Sequence, residues 1–181
     1  MCTTRRLALT AVLTAIVLIQ AISPTPAGAA IGPVTGARLS VEYLGPIAAN
    51  CKVSVDGLVR MSQTDAQGLI NEGYKVVVRV WGEDPLYDDL MLGPYYLTPI
   101  LPGASAYIAA TTQGLKLHSD TAVNGSRLNE DRDPGPGGIS DELYSGIRLV
   151  NRSGMTIRSA ETNRVGGHNF GFGCQGRPPA G

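Results

Sequence analysis

The sequence predicts an all-β fold, an antiparallel β-sandwich with one short connecting helix, and a closed barrel as the runner-up. Apolar and polar residues alternate at period two in several short runs, and only Thr64 to Glu72 switches to helical spacing. The 23 glycines and 12 prolines interrupt the chain often enough to keep every strand short.

The N-terminus is expected to be a leader, residues 1–29, ahead of a single domain over 30–181. Arg5 and Arg6 precede an apolar run from Leu7 to Ile22, and SPTPAGAA follows with Ala27 and Ala29 where a signal peptidase reads, which places cleavage after Ala29. The run is shorter than the roughly 20 apolar residues of a membrane span and meets prolines at once, so no span is expected after leader removal. Ala8 stands where a twin-arginine signal prefers a bulky apolar residue, which favours ordinary secretion.

Arg38 to Leu44 turns Leu39, Val41 and Tyr43 to one face, and Lys52 to Met61 does the same with Val53, Val55, Val59 and Met61. The helix over Thr64 to Glu72 follows, with Thr64 and Gln67 as its capping box and Gly73 as its C-terminal stop. The most strongly patterned strand runs from Tyr74 to Trp81, with Val76, Val78 and Val80 on the core side and Lys75, Val77, Arg79 and Trp81 opposite.

Pro94, Pro99 and Pro102 exclude a long regular element and leave room only for a short edge strand at Tyr95 to Thr98. Ser105 to Thr112 and Leu115 to Ser119 flank a turn at Gln113 and Gly114. Asp120 to Asp141 is a long loop. Leu143 to Val150 then pairs with Met155 to Thr162 through the turn Asn151 to Gly154; Leu143, Ser145, Ile147 and Leu149 share one face, Tyr144, Arg148 and Val150 the other. Asn169 to Cys174 ends the ordered part with Phe170 and Phe172 turned to the core, before a loose tail, QGRPPAG.

Cys2 leaves with the leader. Cys51 and Cys174 remain as an even pair in an oxidising compartment, and a disulfide between them is expected to stabilise by about 4 to 5 kcal/mol. The competing chemistry is a nucleophilic cysteine assisted by His118 or His168. The full chain carries 15 basic and 15 acidic residues, and loss of Arg5 and Arg6 leaves a net charge near −2. No basic footprint for nucleic acid results. The middle of the chain is acidic and the part after Leu143 basic.

Two features carry candidate chemistry. Trp81, Leu86, Tyr87, Tyr95 and Tyr96 mix large apolar rings with carboxylates in Pro-punctuated sequence, as a surface that binds protein or carbohydrate does. Glu83, Asp84, Asp88 and Asp89 in one loop, and Glu130, Asp131, Asp133, Asp141 and Glu142 in another, are the hard oxygen ligands that calcium takes. The second loop matches an EF-hand poorly, because Pro136 occupies the place of the turn glycine and no helices flank it.

If strands alternate in direction, a meeting of Cys51 and Cys174 requires an extra strand near Tyr95. That strand sends the two acidic loops to opposite ends. The disulfide and a shared two-loop cation site therefore compete.

His118-Ser119-Asp120 is no triad, because neighbouring strand residues face opposite ways. The chain has no GxSxG elbow, HExxH helix, SxxK or Walker loop. Asn124 and Asn151 open glycosylation sequons, which matter in a eukaryotic secretory host. The leading expectation is thus a secreted binding module. A calcium-binding sandwich and a secreted hydrolase are the alternatives.

Overall fold

A computed structural model describes residues 30–45, 51–83, 87–99, 104–129, 141–170 and 174–176. Residues 1–29, expected to be a leader, residues 177–181, Asp84, Leu86, Glu130, Asp131, Asp133 and Phe172 lie outside them. In chain order the strands are β1 (Val34–Tyr43), β2 (Cys51–Arg60), β3 (Lys75–Gly82), β4 (Asp89–Leu97), β5 (Ala106–Thr111), β6 (Gly114–Val123), β7 (Asp141–Val150), β8 (Thr156–Glu161), β9 (Val165–Asn169) and β10 (Gln175–Gly176). Helix α1 (Gln63–Asn71) joins β2 to β3.

The strands form two sheets, one ordered β1-β2-β6-β5 and one ordered β10-β9-β7-β3-β4 with β8 also paired to β7. All the ladders are antiparallel, and the arrangement is a sandwich rather than a closed barrel. Among the described residues no helix is long and apolar enough to cross a membrane.

Period-two alternation builds the core. Val53, Val55, Val59, Leu115 and Leu117 of one sheet face Val76, Val78, Val80, Ile147 and Leu149 of the other, and all are buried. Each such side chain contributes about 1.5–3 kcal/mol on burial. Gly57 occupies an inward position of β2: a Cβ there would stand 3.1 Å from Leu117 and 3.4 Å from Ile147, so its absence lets the two sheets close.

The helix begins earlier than the capping box at Thr64 predicts. Ser62 is the N-cap; its Oγ accepts from the Asp65 amide at 3.0 Å and donates to the Asp65 carboxylate at 2.7 Å. Gln67 instead donates to Asn71 along the helix. Ala66 and Leu69 are buried, and Gly73, at φ 81°, ends the helix as expected.

The larger difference is β4, which is a full strand and not a short edge piece. Its register against β3 slips twice, between Val78 and Val80 and between Val80 and Trp81. The first slip absorbs Gly93 and Pro94, and the second absorbs Met91. On an edge strand a proline costs no ladder bond on its free side, and bulges protect the edge from pairing with other chains.

Strand alternation fails at two places, between β4 and β5 and between β8 and β9, which both lie antiparallel to β7, and together these overturn the expected competition between disulfide and acidic loops. Pro99 bridges Ile108 in parallel, and Ile108 N donates to Thr98 O at 3.2 Å, so β4 and β5 run the same way in different sheets. The end of β3, the starts of β2, β4 and β7 and the end of β9 consequently fall at one end of the sandwich. Cys51 and Cys174 are joined there, with Cα atoms 5.7 Å apart, and Glu83 N donates to Glu142 O at 2.7 Å at the same end.

Candidate binding surface

The outer face of the six-stranded sheet is set by the register of β3 with its two neighbours. Trp81 stands opposite Leu90 on β4 and Tyr144 on β7, and Val77 stands opposite Tyr96 and Arg148. The two slips in β4 decide which of its residues reach this face. Tyr95, paired with Val78, packs toward the core, while Tyr96 points out and is 60% exposed. The slip at Met91 likewise turns Leu90, 44% exposed, outward beside Trp81.

Trp81 is half-buried, and its indole lies over Gly146, where a Cβ would be 3.3 Å from Nε1. Arg79 stands 6.0 Å from the Trp81 ring, and its Nε has no hydrogen-bond partner among the described residues. Tyr144 is buried on this outer face because the guanidinium of Arg164 stacks on its ring at 4.6 Å and its hydroxyl donates to Asp88 at 2.6 Å. Burial first, and then the Asp88 carboxylate, push the Tyr144 phenol up to about 12. That bond holds Asp88, next to Tyr87, which is 83% exposed, against the sheet.

Of the binding residues expected from sequence, Trp81 and Tyr96 therefore share the outer face, Tyr96 opposite Val77, and Tyr87 is exposed just ahead of β4. Tyr95 does not reach that face, because the Gly93-Pro94 slip sends it inward, and Leu86 lies outside the described residues. Leu90, Arg79, Tyr144 and Arg164 were missed. Tyr144 and Arg79 were assignable to a non-core face by alternation, but only the cross-strand register puts them beside Trp81.

Of the carboxylates expected to hold calcium, Glu83 and Asp88 are engaged by other side chains. Glu83 accepts from Arg164 at 2.8 Å, Asp88 accepts from Tyr144, and Glu142 lies beside Gly166, where a Cβ would meet its Cγ at 3.0 Å. Asp89 is exposed at the start of β4, and Asp141 pairs with His168 in register. Asp84, Glu130, Asp131 and Asp133 are outside the described residues. Among those described, no three acids, histidines or cysteines are grouped to hold a metal ion.

His118 sits on the outer face of the four-stranded sheet. Its Nδ1 is 2.8 Å from Asp56, its Nε2 is 3.3 Å from Asp120, and Tyr107 packs on its ring at 5.4 Å. Lys52 reaches Asp120 at 3.1 Å. Burial opposes ionisation of Asp120, yet hydrogen bonds from Ser54 and Lys52 and the nearby positive charge hold its carboxyl below the usual range. A general base for acyl transfer needs one ring nitrogen facing a nucleophile. Both nitrogens of His118 face carboxylates, so His118 activates no hydroxyl or thiol; the side chain of His168, the other expected histidine, lies outside the described residues. Cys51 and Cys174, being bridged, offer no free thiol.

Both sequon asparagines serve their own turns. Asn124 accepts from Ser126, and Asn151 accepts from Ser153 and Met155. No family model, curated protein or solved structure matches this chain.

Proposed function

We propose that the chain is an exported binding module that engages a protein partner through the outer face of its six-stranded sheet. The observation carrying this reading is that the edge strand β4 exposes Leu90 opposite Trp81 and Tyr96 opposite Val77, with Tyr87 exposed just ahead of it. Trp, Tyr and Arg are the side chains that dominate protein hot spots, and Arg79, Arg148 and Arg164 share this face. A carbohydrate would use the same rings; Glu83, Glu161 and Asp88 are taken by Arg164 and Tyr144, while Asp89 is exposed beside Leu90, so the test must separate the two kinds of partner.

The test is photo-crosslinking from benzoylphenylalanine placed at Tyr96 and, as control, at Lys116 on the other sheet, in the extracellular fraction of the producing cells. A discrete protein adduct from position 96 alone, lost with Tyr87→Ala and Leu90→Ala, supports the reading. The same ladder from both positions, or none, sinks it. Retardation by a soluble polysaccharide that Tyr96→Ala abolishes would replace the protein partner with a glycan.

A further inference from the structure

A second surface lies on the opposite sheet, at the end where α1 connects the layers. There β1, β2, β6 and the β5–β6 turn enclose a groove of about 410 Å³. A glycine on β1 opens it. β1 slips register between Thr35 and Arg38, and Gly36 in that slip has nothing within 4 Å of where a Cβ would be.

Leu58, directly opposite Lys116, and the Thr112–Gln113 turn border this space. Arg60 is held by its stem: Nε donates to Thr35 Oγ1 at 3.2 Å, and Thr35 Oγ1 donates to Leu58 O at 3.3 Å. Its terminal nitrogens stay available. Among the described residues neither Arg60 nor Lys116 forms an ion pair, whereas the acid in the groove, Asp56, is bound by His118 and stands opposite Arg38. The groove thus holds two cations on adjacent strands against the single acid Asp56, and neither cation is ion-paired among the described residues; Arg60 is a pre-positioned guanidinium fork. That fork matches a planar or tetrahedral oxyanion.

We infer that this groove binds a small organic oxyanion, a carboxylate or phosphate held by Arg60 and Lys116, with the body of the ligand along Leu58 and Gln113. The probes are glucuronate, inorganic phosphate and, as a neutral control, glucose, titrated at constant ionic strength and followed by amide chemical shifts. Saturable shifts confined to residues 56–60 and 111–116 with glucuronate or phosphate are expected, and the stronger of the two identifies the anion. Arg60→Gln with Lys116→Gln should weaken binding at least about tenfold, the loss of about 1.4 kcal/mol. Lys116→Gln alone, at an exposed site, should weaken it without affecting folding. Shifts that do not saturate, equal binding of glucose, or unchanged affinity in the variants would each overturn the inference.

Discussion

The Tyr144 hydroxyl donates to Asp88 Oδ2 at 2.6 Å, a bond that ties the residue ahead of β4 to the outer face of β7. A phenol pushed up to about 12 stays protonated in the folded state at pH values where an unfolded one, near 10, ionises. Its contribution to stability is therefore fully present below about pH 10 and is lost as pH rises toward 12. Absorbance titration of the seven tyrosines should show one phenol ionising well above the others. Asp88→Asn removes the carboxylate that disfavours phenolate and should bring that phenol down. An unchanged high-pH phase would mean the bond is absent in solution.

Gly146 makes room for the Trp81 indole, and Trp81 is the single tryptophan of the chain. Its fluorescence therefore reports this contact without deconvolution. Gly146→Val should displace the indole into solvent and red-shift the emission. The cost in stability should be about 1 kcal/mol, since the ring is only half-buried. An unshifted spectrum would place the indole elsewhere.

Period-two alternation was enough to identify the inward faces of β2, β3 and β7, because burial on one side leaves a strict signature in apolar residues. It could not show β4. Gly93, Pro94 and the bulge at Met91 break the period where the strand turns Tyr95 in and Tyr96 and Leu90 out. The aromatic cluster was visible in composition, but its sorting into core and surface depended on two local slips. The parallel placement of β4 and β5 was equally hidden, because it rests on a single bridge between Pro99 and Ile108 in a loop with no sequence period. The cap at Ser62 was missed for a different reason: an Asp reciprocates it, where the Gln at the expected spacing from Thr64 looked the better match.

The side-chain amide of Asn163 takes the place of a strand at the free edge of β1. Its Oδ1 accepts from Leu39 N at 3.0 Å, and its Nδ2 donates to Leu39 O at 3.1 Å. Leu39 is buried, so Asn163→Ala strands a backbone donor and acceptor away from water. A loss of about 1–3 kcal/mol is expected in urea unfolding. The variant should also self-associate more readily, since an edge with unmet bonds templates pairing.

Asp120 is held ionised by Ser54, Lys52 and the charge of His118. A carboxyl whose folded value is depressed stabilises the fold above its unfolded value, near 3.9, and that stability disappears as pH falls through the lower folded value. Asp120→Asn should therefore weaken the protein at neutral pH and flatten its stability profile below about pH 4. Melting temperatures from pH 2 to 7 measure both effects. Parallel profiles for the two proteins would show that the Lys52–Asp120 pair is not formed in solution.

The bond between Cys51 and Cys174 closes a loop across a sequence separation of 123 residues, joining the start of β2 to the segment before β10. Gly125 packs against it, where a Cβ would stand 3.2 Å from Cys51 Sγ and 2.5 Å from Phe170 O, so the bridge also organises the turn after β6. Converting both cysteines to serine should cost about 2–5 kcal/mol in denaturant unfolding. Dithiothreitol should lower the stability of the parent by a similar amount and leave the double variant unmoved. A parent insensitive to reductant, with both thiols reactive to alkylation before unfolding, would show that the cysteines meet without bonding.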